Sequence, residues 1–144
     1  MAERAFNILL VEDDDVAAEA VVRGIRRKGH DWNVVIAEDG MEALDLLRGN
    51  HSAKSIPAPY VVVVDLNMPR MNGLELIEAL RADDELRRST VFVLTTSNSD
   101  ADRRRAHELG IAGYMVKSGA GPQHSNFVSL MQGYRQNANL RAES

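Results

Sequence analysis

Cysteine is absent from the 144 residues, so disulfides, thiol catalysis and cysteine-ligated metal are excluded outright. Long apolar runs are missing too. The opening Met1-Ala2-Glu3-Arg4-Ala5 leads only into the short stretch Ile8 to Val11, which Glu12-Asp13-Asp14-Asp15 ends. That is too short for the core of a secretion signal, and nothing in the chain approaches membrane-spanning length. The expectation is a cytoplasmic protein with no membrane partner. Positive charge is in deficit: 17 Lys and Arg against 21 Asp and Glu leave a net charge of -4. That balance speaks against broad electrostatic binding to nucleic acid or to a membrane surface. No repeat and no break in composition divides the chain. His30, His51, His107 and His124 are scattered along it, and they read as surface residues that pair with nothing.

What is present fits one domain. Apolar residues make up 44% and charged residues 26%, the balance of a soluble globular protein large enough for a single well-formed core. The expected extent is one domain over 1–144, with its core at about 6–134 and a polar tail at 136–144. The stretch that organises it is Tyr60-Val61-Val62-Val63-Val64-Asp65-Leu66-Asn67-Met68-Pro69. Four valines without polar alternation predict a strand covered on both faces, as central parallel strands are. Asp65 follows directly, at the carboxyl end, where open parallel sheets gather their ligand chemistry.

Around that strand, apolar runs and helical periodicities alternate five times. Strands are predicted over Phe6 to Val11, Val34 to Ala37, Val91 to Thr95 and Gly113 to Val116. The helices between them carry Ala17, Ala20, Val21, Gly24 and Ile25; then Ala43, Leu44 and Leu47; then Leu74, Ile77 and Leu80; then, weakly, Ala106 and Leu109. A last helix presents Phe127, Leu130, Met131 and Tyr134. This alternation is the signature of an α/β fold, a doubly wound five-stranded parallel sheet, and the flavodoxin-like order is the expected one.

Polar residues then collect at one rim of the sheet: Glu12 to Asp15 after the first strand, Asp65 after the third, Thr95-Thr96 after the fourth and Lys117 after the fifth. Carboxylates at ~4 Å repel by about 4 kcal/mol at an effective dielectric of 20. A shared proton, the lysine or a bound cation must offset this. Oxygen ligands without histidine or cysteine favour a hard ion, Mg²⁺ or Mn²⁺. A carboxylate beside such an ion can attack phosphorus, with a lysine and a hydroxyl holding the other oxygens.

Leu9-Leu10-Val11-Glu12-Asp13-Asp14, Val64-Asp65-Leu66-Asn67-Met68-Pro69 with Gly73, Leu94-Thr95-Thr96 and Gly113-Tyr114-Met115-Val116-Lys117 resemble, in order, the signatures of the response-regulator receiver domain. The resemblance runs from about Phe6 to Tyr134. It implies a (βα)5 receiver in which Asp65 accepts a phosphoryl group from a phosphohistidine on a partner sensor histidine kinase. By the same resemblance, Asp13 ligates the metal, Glu12 acts largely through metal-bound water, and Asn67 offers its backbone carbonyl. Thr95 and Lys117 contact the phosphoryl oxygens, and Tyr114 is the aromatic that swings inward with the threonine.

The long connection Gly49 to Pro59, with Leu94-Thr95-Thr96-Ser97, looks more like the stand-alone receivers paired with phytochrome-type kinases. The family usually has proline after the lysine, often with a cis bond; here the residue is Ser118. Chain length suggests that no output domain follows, so the response is expected to pass through an unidentified downstream protein or through a homodimer. The face for either is the helix, strand and helix from Asp100 to Tyr134.

Plainer roles suit the remaining polar residues. Asp14 and Asp15 read as a helix cap and a first-turn acid, and Arg103-Arg104-Arg105 as a solvated helix face. Two other functions share the fold. A haloacid-dehalogenase-type phosphatase would use Asp65 as nucleophile but needs a second aspartate two residues on to protonate the leaving group, where Asn67 stands. A flavin carrier needs a loop rich in serine, threonine and glycine after the first strand, and none is there. The expectation is a phosphoacceptor module with no substrate turnover, slow autodephosphorylation apart.

Overall fold

Val61 to Val64 are sealed from solvent, and the sheet is built outward from them. The structure is a computed structural model that describes the backbone of residues 6–143 and the side chains of residues 6–137. Its strands are β1 (Asn7–Val11), β2 (Asn33–Ala37), β3 (Tyr60–Val64), β4 (Thr90–Thr95) and β5 (Gly113–Val116). The helices are α1 (Asp15–Arg27), α2 (Gly40–Leu47), α3 (Gly73–Ala82), α4 (Asp100–Glu108) and α5 (Ser125–Glu143). Every strand pairing is parallel, in the order β2-β1-β3-β4-β5, the flavodoxin-like order expected from the sequence.

Because side chains alternate along a strand, the same strands feed two cores. Leu9, Val11, Val62, Val64, Val91 and Val93 pack with Leu44, Leu76, Ile77, Leu80 and Ala106 from α2, α3 and α4. Ile8, Leu10, Val61, Val63, Phe92 and Leu94 pack on the other face with Val21, Ile25, Phe127 and Met131 from α1 and α5. Within the helices the predicted faces shift slightly. Ala18 is buried in α1 while Ala17 and Ala20 are half-buried, and Leu76 is buried in α3 while Leu74 lies at the margin. Asp14 caps α1 as expected, accepting from the backbone N–H groups of Val16 and Ala17. The α5 helix continues through Glu143, so the predicted polar tail at 136–144 lies on its last turns; Ser144 and the side chains beyond residue 137 fall outside the described residues, as does the opening Met1 to Ala5.

Two features away from the site fasten the connections. The Lys54 ammonium donates to the Ile36 carbonyl on edge strand β2 at 2.8 Å, which draws the long 49–59 connection along that edge. His51 holds the turn itself: its Nδ1 accepts from the Ala53 and Lys54 N–H groups at 3.1 and 2.9 Å. At the opposite end of the sheet from Asp65, the Arg81 guanidinium donates to four carbonyls, those of Arg87, Ser89, Leu109 and Gly110. The reading of the histidines as unpaired is therefore corrected for His51. It is corrected also for His30, whose ring stacks on Trp32 at 4.2 Å. Short-range backbone and aromatic partners of this kind leave no periodic trace in a sequence.

Gly73 opens α3 directly beneath the end of β3. A Cβ there would press on the Asp65 carbonyl and lie 2.7 Å from the Leu66 Cα, both backbone groups that cannot rotate away. Gly73→Ala is expected to cost about 1–3 kcal/mol, the usual penalty for overpacking, measured as a lowered denaturant midpoint at unchanged slope.

Candidate functional site

Strand register brings the acids together. Val11 pairs with Val64 and with Ala37, and the ladder continues one residue further: the Asp65 N–H donates to the Val11 carbonyl at 3.1 Å and the Glu12 N–H to the Ala37 carbonyl at 2.9 Å. Glu12 and Asp65 are thus fixed side by side by the sheet. On the other flank Thr95 pairs with Val116, so Lys117 leaves β5 next to the threonine. Glu12, Asp65 and Thr95 are buried, whereas Asp13 is exposed.

The Asp65 carboxylate is fully engaged. Its Oδ1 accepts from the Thr95 hydroxyl at 2.8 Å and from the Asn67 N–H at 3.0 Å. Its Oδ2 accepts from the Lys117 ammonium at 3.1 Å. The same ammonium makes a close ion pair with Glu12 Oε1, while Glu12 Oε2 accepts from the Asp14 N–H at 3.3 Å. One cation therefore serves two buried acids. Burial, helped by the Asp65 charge, pushes the Glu12 carboxyl above its ordinary range even though Lys117 pulls the other way. For Lys117, burial works to lower the pKa, but Glu12 and Asp65 outweigh it and hold the ammonium above the usual lysine value.

Carboxylate oxygens of Glu12, Asp13 and Asp65 all lie within 4.8 Å of one another. Three acids facing one lysine, with oxygen donors only, fit a hard divalent cation. The remaining predicted residues stand around this group. Asn67 reaches with its amide to the Thr96 hydroxyl at 3.1 Å, which ties the loop after β3 to the end of β4. Tyr114, on β5, donates its hydroxyl to the Ser97 carbonyl at 2.9 Å. Its ring lies 4.5 Å beneath the Arg103 guanidinium, so Arg103 is not simply part of a solvated face. Arg105, too, has partners, Glu78 and Glu108. The Lys117–Ser118 bond is trans, since among the described residues only Ala58–Pro59 is cis.

Residues 8–124 match the family described as the response regulator receiver domain. The chain belongs to that family.

Similar proteins include the probable methanogenesis regulatory protein FilR2 of Methanothrix harundinacea, 38% identical over 81% of this chain and 74% of that protein. Response regulator Rcp1 of Synechocystis sp. is 32% identical over 77% of this chain and 76% of its own length. The Mn(2+)-bound form of response regulator Rcp1 superposes with a TM-score of 0.72 at 28% identity, over 88% of this chain and 89% of that one. The phosphorylated cyanobacterial phytochrome response regulator RcpA gives 0.73 at 26% identity, over 92% and 93%. The receiver domain described here is thus a module of two-component signalling, in a family of signalling domains rather than enzymes, and the phosphatase reading is not favoured.

Sequence reasoning missed two neighbours of the receiver's acidic group. His124 is half-buried beside Lys117, and burial together with that ammonium lowers its pKa. It lines a cleft of about 450 Å³ with Arg23, Arg27 and Gly121, and no local pattern announces it. The second is the ion pair between Asp39 and Arg70, which joins residues of two separate loops.

Because the folded chain holds the Glu12 proton more tightly than the unfolded one, the native state binds more protons between the ordinary glutamate range and the raised folded value. Stability without divalent cations should therefore fall as pH rises through that window. Denaturant midpoints followed upward in pH from the ordinary glutamate range should show this slope in the wild type and lose it in Glu12→Gln.

Proposed function

We propose that this receiver takes a phosphoryl group on Asp65 from a sensor histidine kinase in a divalent-cation-dependent reaction. The observation that carries the reading is the buried carboxylate of Asp65, held at once by Thr95 and Lys117 and flanked by Glu12 and Asp13. An Asp65 oxygen forms a bond to phosphorus as the bond from phosphorus to the kinase's histidine nitrogen breaks. The nitrogen keeps the electron pair, and the imidazole takes a proton from water. Mg²⁺ or Mn²⁺, held by Glu12, Asp13, Asp65 and the Asn67 carbonyl, supplies positive charge to the phosphoryl oxygens when bound. Lys117 holds one phosphoryl oxygen by charge, and the Thr95 hydroxyl donates to another. Slow loss of the group to water is consistent with a site reachable from solvent at Asn67, Thr96 and Ser97.

Phosphorylation adds about -1.5 to -2 of charge at Asp65. The Thr95 hydroxyl is drawn toward it, and the backbone from Thr95 to Ser97 carries this to Tyr114 through the Ser97 carbonyl. The output surface is accordingly α4, β5 and α5, used for a downstream protein or for a homodimer. Similarity to the phytochrome response regulator RcpA supports a phytochrome-type kinase as the donor, and the chain's composition supports a cytoplasmic setting.

Asp65→Asn should abolish incorporation of label from acetyl phosphate or from a kinase; labelling at wild-type stoichiometry would defeat the assignment. In sedimentation velocity, a phosphoryl analogue with Mg²⁺ should shift the wild-type chain toward dimer and leave Asp65→Asn unchanged. A monomer in both states would count against the dimer.

A further inference from the structure

The acidic rim includes a fourth carboxylate that the phosphoacceptor reading does not use. Asp39 follows β2 and caps α2, its Oδ1 accepting from the Glu42 N–H at 2.9 Å. Only 10% of its side chain is exposed. Its Oδ2 takes the Arg70 guanidinium, with Arg70 Nε at 2.9 Å and Nη2 in close contact. Arg70 belongs to the loop after β3, three residues beyond Asn67. In the sheet the end of β1 lies between the ends of β2 and β3. The Asp39–Arg70 pair therefore spans the strand end from which Glu12 and Asp13 project.

Arg70 reaches this position at a cost. Its φ is +63°, a left-handed backbone that residues with a Cβ adopt reluctantly. Such conformations persist where the surroundings over-determine them, and here two contacts do so. One is the ion pair; the other is the next residue, Met71, whose side chain lies against the face of α2 that Gly40 leaves free of a Cβ. On its other side the same loop is held by the Asn67 amide at the Thr96 hydroxyl. The segment that carries Asn67 is thus stretched between the end of β2 and the end of β4.

We infer that the Asp39–Arg70 ion pair is a positioning device for divalent-cation binding: it holds the loop so that the Asn67 carbonyl faces the Glu12–Asp13–Asp65 group. This rests on the phosphoacceptor reading above. Neither residue touches the cation or the phosphoryl group, and the pair acts through the loop backbone. A purely electrostatic role makes a different forecast. Neutralising Asp39 would remove negative charge and weaken cation binding, whereas removing Arg70 would unmask Asp39 and strengthen it. Positioning weakens binding in both cases.

Two substitutions isolate the ion pair. Asp39→Asn keeps the oxygen that accepts from the Glu42 N–H, so the α2 cap survives. Arg70→Gly removes the guanidinium while glycine takes the left-handed backbone freely. Mn²⁺ titrations followed by the electron paramagnetic resonance of the free ion should show each variant binding about three- to tenfold more weakly, less than the 10–100-fold typical of a direct partner of a ligand. The double variant should be no weaker than the poorer single one, and Arg70→Lys should stay within about twofold of wild type, the acid–base pair being kept. Labelling from acetyl phosphate should slow at low Mn²⁺ and recover at saturating Mn²⁺. Opposite shifts in Asp39→Asn and Arg70→Gly, or unchanged affinity in both, would overturn the inference while leaving the phosphoacceptor reading intact. Failure of the wild type itself to bind Mn²⁺ would overturn both.

Discussion

Like charges held closer than they would choose to be are the constraint on which this receiver domain depends. Parallel register, through the backbone ladder beyond Val11 and Val64, sets Glu12 and Asp65 adjacent whether or not their side chains favour it. The sheet can impose this because its two apolar faces are far more extensive than the rim. The repulsion is concentrated in one place and answered there by a single ammonium, Lys117, shared between Glu12 and Asp65. The group is left acidic on balance. An arrangement short of positive charge is one that suits a hard divalent cation.

The same frame decides what the site can influence. Thr95 is the last residue of β4, buried and hydrogen-bonded to Asp65. The chain then crosses Thr96 and Ser97 into α4, a helix in which only Ala106 is buried. A helix with so little core of its own is positioned by polar contacts at its ends and flank: the Ser97 hydroxyl at Asp102, the Tyr114 hydroxyl at the Ser97 carbonyl, and Arg103 over the tyrosine ring. The segment that follows Thr95 is therefore one that polar bonds rather than hydrophobic burial hold in place, the kind of region in which a modest energy can have a structural effect.

Much of this was legible in the chain. The valine run, the five alternations and the polar residues at the strand ends were sufficient to derive the sheet and to gather Glu12, Asp13, Asp65, Thr95 and Lys117 at one rim, because strand period and parallel connection are encoded locally. The faces of α1 and α3 were less accurate: Ala18 and Leu76 displaced their neighbours, since small residues and leucines at adjacent positions satisfy the same periodicity. Contacts between loops were not legible. Asp39 and Arg70 lie 31 residues apart, and the left-handed backbone that lets them meet occurs at an arginine rather than at a glycine that might have flagged it. His51 and Arg103 were assigned to solvent because their partners, two backbone N–H groups and an aromatic face, are invisible to charge patterning.

Arg81 holds its end of the fold by means unlike those of the acidic rim. Among the described residues its hydrogen-bond partners are four backbone carbonyls and no carboxylate. Burial lowers its pKa, yet a guanidinium stays protonated throughout the range in which proteins fold, and carbonyls do not titrate. The two ends of the sheet consequently answer acid in different ways. Glu12 takes up its proton above the ordinary glutamate range, while the seam around Arg81 keeps its bonds whatever the acidity.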